Sequence, residues 1–369
     1  MDNSPQPLPT SEDNRRKRCI WFHLHFWLGW IAAAPIALVC LTGALLVFER
    51  DIFQWEHKAL FQLRETGSPL SIEQVLGKYR SAEPRLRVNH LSIPKASNHS
   101  YSAFCTEIHP EGNRGARVFL NPYTGELTWM SQGFSISHTL IDLHRHLVAG
   151  KTGQMIVAIS SVVLAITGTI GLVLWWPRRG RTFIRALQRG QAIDWHNALG
   201  LVTLIPLIVM AVTGVTFTWG RQIWPMLETF QGASSLPPNP VIMVPVNGEK
   251  VSLDVIVGKI RVNHPDQRIT GLQPGNRNDS PYKAFLDANG KNLQLTIDPY
   301  TGEELSLYDG SGTGPVGLIR KNFGRFHTLG PYPLFVRIIW GLMSLGGTVL
   351  VVTGIWISVR RWRLPKATG

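Results

Sequence analysis

The sequence predicts an α-helical membrane protein: four transmembrane helices in two duplicated halves, with two small α+β domains outside the membrane. Three observations predict it. The apolar residues are gathered into four long runs that lack Asp, Glu, Lys and Arg. Basic residues crowd the short flanks of those runs. Turn and histidine motifs occur once in each half of the chain.

Taken in order, residues 1–18 form a basic leader with Arg15, Arg16, Lys17 and Arg18. The first span, 19–48, is uncharged, and about 20 such residues cross a hydrocarbon core of ~30 Å. It is too long for the apolar region of a signal peptide, and no small-x-small cleavage site precedes "FERDIFQWEHK". The first external domain, 49–137, is expected to hold a helix near Ser71 to Ser81 and strands joined by the turn in "NPYTGEL". Span two, 138–176, is apolar from Thr152 to Trp176 and leads into a basic loop, 177–193, with Arg178, Arg179, Arg181, Arg185 and Arg189. Span three is 194–219. The second external domain, 220–334, repeats the pattern with a helix near Leu253 to Val262 and the turn in "DPYTGEEL". Span four is 335–359, and the tail, 360–369, carries Arg360, Arg361, Arg363 and Lys366.

The chain of 369 residues has a formal charge of +13, which in a soluble protein would suggest nucleic acid. Its distribution argues otherwise. The leader, the basic loop and the tail hold 13 basic residues against the acidic Asp2, Glu12 and Asp13, whereas the external domains are nearly balanced. Basic residues at alternate ends of the spans put both termini and the basic loop in the cytoplasm. No nucleic-acid partner is expected, and the membrane lipid is. Cys19, Cys40 and Cys105 offer no disulfide framework, and the absence of C-x-x-C-H excludes covalently attached haem.

Internal repetition is the most specific signal. "FLNPYTGELTWM" recurs as "TIDPYTGEELSL", and "RVNH" occurs at 87–90 and at 261–264. Asn/Asp-Pro followed by Thr-Gly is tight-turn chemistry. Spans one and three carry H-x-x-x-G at His25/Gly29 and His196/Gly200, and each reaches Thr-Gly 17 residues after its histidine, at Thr42/Gly43 and Thr213/Gly214. Spans two and four begin near "LHRHLVAGKTGQ" and "FHTLGPYPLF".

Topology then gives each histidine a depth. His25 and His196 fall near the cytoplasmic face, and His144 (or His146) and His327 near the opposite one. Zinc would want four ligands, and a non-haem oxygen site a carboxylate beside two histidines. Asp142 and Asp194 lie two residues before a histidine, about 200° away around a helix. A b-type haem needs only axial imidazoles, apolar walls and small neighbours, so two b-type haems are expected. Gly29, Gly43, Gly200 and Gly214 stand near the azimuths of His25 and His196 and would let the backbones approach a flat guest. His23 points about 200° away from His25. Helix geometry favours His146 over His144, because Gly150 and Gly153 share its face. His57, His90, His99, His109 and His264 read as solvated surface residues. Arg320, Lys321 and Arg325 are candidates for haem propionates or lipid phosphates.

These motifs resemble those of the PepSY-associated transmembrane proteins, which include iron-regulated membrane proteins and periplasmic ferric-siderophore reductases. The marks are "LHFWLG" with "TGALLVF", "NPYTGEL", "LHRHLVAGKTGQ" with "TGTIGLVLWWPRR", "WHNALG" with "TGVTF", "DPYTGEEL", and "FHTLGP" with "TGIWISVRR". The resemblance covers most of the chain. It implies that the external domains are PepSY-like and periplasmic, and that the protein is a di-haem oxidoreductase of the bacterial inner membrane that reduces iron in ferric siderophores. It places His25, His144, His196 and His327 on the family's motif histidines and so favours His144. His146 departs from the family pattern, which more often has a small polar residue there. With no G-x-G-x-x-G after a strand, electrons are expected from a quinol or a cytoplasmic reductase. Two alternatives differ in class: a non-enzymatic PepSY membrane module that binds a peptide or protein, and a haem electron-transfer subunit with a non-iron acceptor.

Overall fold

A computed structural model describes residues 11–363 except 66, 109–113, 132–134, 177–179, 233–239, 247, 310–313 and 331. Residues 1–10, His109, Arg178, Arg179 and Lys366 therefore lie outside the described residues. The chain runs α1 (Ser11–Ile31), α2 (Ala33–Leu46), α3 (Glu49–Glu56), α4 (Ile72–Ala82), β1 (Leu86–Ser92), β2 (Tyr101–Glu107), β3 (Arg114–Leu120) and β4 (Leu127–Met130). It continues through α5 (Ile136–His146), α6 (Gly150–Trp175), α7 (Thr182–Arg189), α8 (Ala192–Gln231) and α9 (Leu253–Asn263). Last come β5 (Arg268–Gln273), β6 (Tyr282–Ala288), β7 (Lys291–Ile297), β8 (Glu304–Tyr308), α10 (Gly314–Thr328) and α11 (Leu334–Arg363). Two compact units result: a helical one from Met1–Ile52, Ile136–Met226 and Asn322–Gly369, and a sheet one from Phe53–Ser135 and Leu227–Lys321.

In the helical unit, Gly150–Trp175, Ala192–Gln231 and Leu334–Arg360 are long and apolar enough to cross a membrane. A fourth crossing exists if Arg15–Ile31 and Ala33–Leu46, bent by 67°, are counted as one span. The expected single run 19–48 is thus corrected to a broken helix that departs from helical geometry at Ala32. Pro35 explains the break, since it has no amide and its ring crowds the carbonyl four residues back, that of Ile31. Span two is likewise divided, with α5 ending before left-handed Leu147 and Val148, φ 50° and 56°. The basic loop contains α7, and span three extends well beyond 219 as α8, irregular at Trp219.

Close packing in this unit depends on α11. A side chain at Gly346 would meet the Thr203 methyl at 2.6 Å, and one at Gly347 the Cys40 sulfur at 2.6 Å. With only hydrogen there, α11 lies close against α8 and α2, as small residues allow in membranes. Ser344 Oγ donates to the Cys40 carbonyl at 2.8 Å and Thr348 Oγ1 to that of Ala37 at 3.0 Å. Ala32, Ile36, Cys40 and Leu207 form the apolar centre between these helices.

The sheet unit corrects the expectation of two separate external domains. All eight strands form one antiparallel sheet, ordered β4-β3-β2-β1-β5-β6-β7-β8. The halves join where Leu91 pairs with Leu272 and Ser92 with Gly271. Both strands at this seam carry a bulge at the matching place, Val88/His90 and Ile269/Gly271. One core runs across the seam, including Val75, Leu76, Tyr79 and Leu91 from the first half and Ile256, Ile260, Leu272 and Leu295 from the second. The helices start as expected. Ser71 caps α4 in a reciprocal box with Gln74, and the Ser252 hydroxyl caps α9 through the Asp254 amide. Their N-termini also exchange carboxylates, Glu73 accepting from the Leu253 amide and Asp254 from the Glu73 amide, each at 3.2 Å.

The repeated turns are superimposable in chemistry. Asn121 Oδ1 accepts from the Tyr123 amide at 2.9 Å and Asp298 Oδ1 from that of Tyr300 at 2.7 Å. Gly125 and Gly302 close the turns with φ 76° and 70°. The "RVNH" recurrence is not part of this correspondence: 87–90 lies on β1, whereas 261–264 ends α9. The surface reading of the external histidines is corrected in part. His57 packs between Phe53 and Trp129, at ring distances of 4.6 and 4.8 Å, and His90 packs on Phe285 at 5.0 Å. Burial lowers the His90 pKa.

Glycine substitutions separate close packing from plain helix propensity. Gly347→Val should destabilise the helical unit by ~1–3 kcal/mol through overpacking. Gly77→Ala and Gly258→Ala, in α4 and α9 where an added Cβ meets nothing within 4 Å, should each stabilise by ~0.5–1 kcal/mol. Thermal unfolding of the detergent-solubilised chain reads all three.

Candidate functional site

Four of the candidate histidines meet as two facing pairs inside the helical unit. His25 of α1 faces His196 of α8, with ring centroids 6.4 Å apart and planes at 88°. His144 of α5 faces His327 of α10 at 6.2 Å and 60°. The pairings are those expected from topology. His146 does not join: its Nδ1 pairs with Asp142 Oδ1 one turn back, at 2.9 Å. His23 turns to the Cys19 carbonyl on its own helix, at 2.8 Å.

Each ring is anchored through Nδ1 to a different helix. His25 Nδ1 lies 3.0 Å from the Thr167 carbonyl, His144 Nδ1 3.0 Å from that of Val39, and His327 Nδ1 3.0 Å from that of Met210. His196 Nδ1 has the Thr353 hydroxyl of α11 at 2.9 Å, beside the Leu350 backbone. A carbonyl only accepts, so Nδ1 carries the proton and Nε2 keeps its lone pair. The threonines agree with this assignment. Thr42, Thr213 and Thr353 each have the hydroxyl against a carbonyl of their own helix at 2.8 Å or less, and so present an oxygen lone pair to the ring.

Why those carbonyls are reachable follows from the residue four positions later. A helical side chain leans back over the preceding turn and would cover the carbonyl at i−4. Here position i+4 is glycine every time: Gly171 after Thr167, Gly43 after Val39, Gly214 after Met210 and Gly354 after Leu350. A Cβ on them would lie 3.3, 3.1, 3.2 and 3.5 Å from Cε1 of His25, His144, His327 and His196. Gly43 and Gly214 therefore serve the pair opposite to the one expected, because azimuth on one helix does not tell which neighbour fills it. Gly29 meets nothing within 4 Å and Gly200 only Leu350, so neither touches a histidine. Gly171 and Gly354 lie outside the set that spacing picked out, and Gly168, three residues before Gly171, packs on Leu204 instead.

Local backbone supports the second pair. His144 and His327 sit in the last turns of α5 and α10, which stop at left-handed Leu147, Val148 and Leu329. That conformation costs roughly 1–2 kcal/mol per side-chain-bearing residue, strain of a kind concentrated at functional sites. Phe217 stacks edge-on to His327 at 5.2 Å, and the Trp340 indole donates to the His327 carbonyl at 3.0 Å. Arg320 and Lys321, considered for propionates, instead have partners in the sheet unit: Glu228 at 2.9 Å and the Asp309 carbonyl at 3.3 Å.

A family model described as the PepSY-associated TM region matches residues 22–361. The chain belongs to this family of membrane proteins. No curated protein matches it.

The chemistry open to these pairs is restricted. Among the described residues no group of three or more His, Cys, Asp or Glu could hold a metal ion. Two imidazoles on opposite sides of one metal at about 2.0 Å, with roughly 1.1 Å more to each ring centre, would put their centroids about 6.2 Å apart. The observed separations of 6.4 and 6.2 Å are close to this spacing.

The glycine rule makes a testable equivalence. Gly43→Val should act through His144, Gly214→Val through His327, Gly171→Val through His25 and Gly354→Val through His196. Each valine and the alanine variant of its histidine should be non-additive in a double-mutant cycle of thermal stability, by at least ~0.5 kcal/mol. Gly29→Val combined with His25→Ala should be additive.

Proposed function

We propose that the protein is a di-haem b oxidoreductase of the bacterial inner membrane that carries electrons outward and reduces Fe(III) in a ferric siderophore in the periplasm. One observation supports this most: two imidazole pairs face each other, with every Nδ1 committed to another helix and every Nε2 left basic. His25 and His196 would hold one haem, and His144 and His327 the other. On this reading the four crossings form two duplicated halves, both termini and the α7 loop are cytoplasmic, and the PepSY-like sheet unit is periplasmic.

When bound, each haem supplies a one-electron couple. The protein's own residues supply the rest. Nδ1–H bonds to helix carbonyls fix the tautomer and raise the basicity of Nε2, as outer partners of metal-bound histidines do. Apolar helices keep water from the imidazoles, and the apolar runs 19–48, 152–176, 198–219 and 338–359 contain no carboxylate. The substrate iron gains one electron outside the membrane, and Fe(II) is then released because hard oxygen chelators hold it far more weakly. The donor is a quinol or a cytoplasmic reductase, since the chain lacks a dinucleotide fingerprint. In the rival reading as a peptide-binding module, the Nδ1 bonds and glycines serve only to hold the helices together.

A pyridine haemochrome assay with haem-to-protein stoichiometry tests the proposal. Wild type and His146→Ala should contain two b haems. His25→Ala and His196→Ala should lose one, and His144→Ala and His327→Ala the other. Dithionite-reduced protein should be reoxidised by ferric siderophores. Colourless, correctly inserted protein from haem-replete cells would overturn the reading.

A further inference from the structure

The two halves of the sheet unit differ at one place that matters for binding. In the second half, Lys250 lies just before the cap of α9 and sends its ammonium into the loop between β5 and β6. Its Nζ donates to the Arg277 carbonyl at 2.9 Å and the Gly275 carbonyl at 3.3 Å, and lies 5.8 Å from the centre of the Tyr282 ring. Carbonyl oxygens and an aromatic face are what a primary ammonium seeks.

Register between the halves runs without a gap through this region. The capping serines Ser71 and Ser252, the seam partners Leu91 and Leu272, and Tyr101 and Tyr282 all correspond. Tyr123 OH reaches the Ser97 carbonyl at 3.2 Å just as Tyr300 OH reaches that of Asn278 at 3.1 Å. Position 250 therefore corresponds to Pro69, and the carbonyls of 275 and 277 to those of Pro94 and Ala96. Proline brings no ammonium. The place is a cavity of about 420 Å³, whose lining includes Pro69, Pro94, Ala96, Tyr101, Tyr123 and Glu65. That volume is in the range of small-molecule sites.

Glu65 adds charge complementarity. Asn121 Nδ2 donates to its Oε1 at 2.6 Å and the Arg64 amide to its Oε2 at 3.0 Å. Hydrogen bonds from its own backbone and from Asn121 hold its carboxyl below the usual carboxylate range. A fixed anion thus borders a cavity whose twin is filled by the protein's own cation.

We infer that the cavity of the first half binds a small ligand through a primary alkylammonium group, which takes the place that Lys250 takes in the second half. The carbonyls of Pro94 and Ala96 accept its N–H groups, the Tyr101 ring lies beside it, and Glu65 balances its charge. This inference does not rest on haem binding.

Isothermal titration of the full-length protein in detergent with n-butylammonium tests it, with tetramethylammonium and 1-butanol as comparators. Wild type should show one saturable site, at least ten-fold weaker for either comparator. Pro69→Lys should abolish binding without lowering the unfolding temperature, by placing a lysine where the second half has one. Glu65→Gln, which keeps the hydrogen bond to Asn121, should weaken binding several-fold and guards against a folding defect in the lysine variant. Lys250→Ala should open a second site and lower the unfolding temperature, with partial recovery in n-butylammonium. No saturable binding to wild type, or undiminished binding to folded Pro69→Lys, would overturn the inference.

Discussion

A hydrogen bond from imidazole Nδ1 to a carbonyl laid bare by glycine is the constraint on which the helical unit depends. A buried ring nitrogen without a partner costs about 1–3 kcal/mol, and a carbonyl already engaged by its own helix is open to a second donor only where no side chain covers it. Glycine at i+4 meets both requirements. Because each histidine bonds a helix other than its own, these contacts also tie α1 to α6, α5 to α2 and α10 to α8 through carbonyls, and α8 to α11 through the Thr353 hydroxyl. One interaction therefore locks the tautomer, fixes the ring and staples the helices. The broken first span belongs to the same arrangement: α1 carries His25, and α2, beyond the bend, offers the carbonyl that holds His144.

The sheet unit solves a different problem. A four-stranded half with an open β1 or β5 edge would present unpaired amides and carbonyls to any passing strand. Joining the edges reduces that exposure, through the ladder pairs Leu91–Leu272 and Ser92–Gly271 and the Ile93 amide, which donates to the Thr270 carbonyl at 2.8 Å. Helix termini compensate for so short a seam. Glu73 and Asp254 each place a carboxylate at the other helix's N-terminus, where the unsatisfied amides and the helix dipole favour negative charge. Gly271 shows how tight the seam is, since a Cβ there would meet the His90 ring at 2.9 Å. His90 and Gly271 occupy corresponding positions, so a large residue in one half requires none in the other.

What the sequence made legible is what composition and spacing encode locally. Uncharged runs marked the long helices, the Pro-x-Thr-Gly turns marked the strand pairs, and the shared interval from histidine to Thr-Gly marked the site. The partners were harder to read. Periodicity gives Gly43 an azimuth on its own helix but not the neighbour that occupies it, and here the neighbour is His144 rather than His25. Spacing alone did not separate His144 from His146; in the structure His144 faces His327, whereas His146 Nδ1 pairs with Asp142 one turn back on its own helix. Fusion of the two external domains left no local trace, because an edge-to-edge strand pair is a contact between distant residues with ordinary strand sequences. The repeated "RVNH" misled for the opposite reason: four residues can match by chance, and strand and helix contexts then separate them. Pro35 was a readable helix breaker within an otherwise continuous apolar run, and it broke the helix.

Helix α8 relates the two histidine pairs to each other. It contributes His196 to one pair and, 17 residues later, the Thr213–Gly214 cradle of His327 to the other. At 1.5 Å per residue that interval is ~26 Å, close to the hydrocarbon thickness of a bilayer. A single helix thus sets the separation of the sites, and the Nδ1 anchors on α6, α2 and α11 hold the rings in place. A proton pathway would need groups that can both gain and release protons along α8, and the run from Ala198 to Trp219 contains no Asp, Glu, Lys, Arg or His.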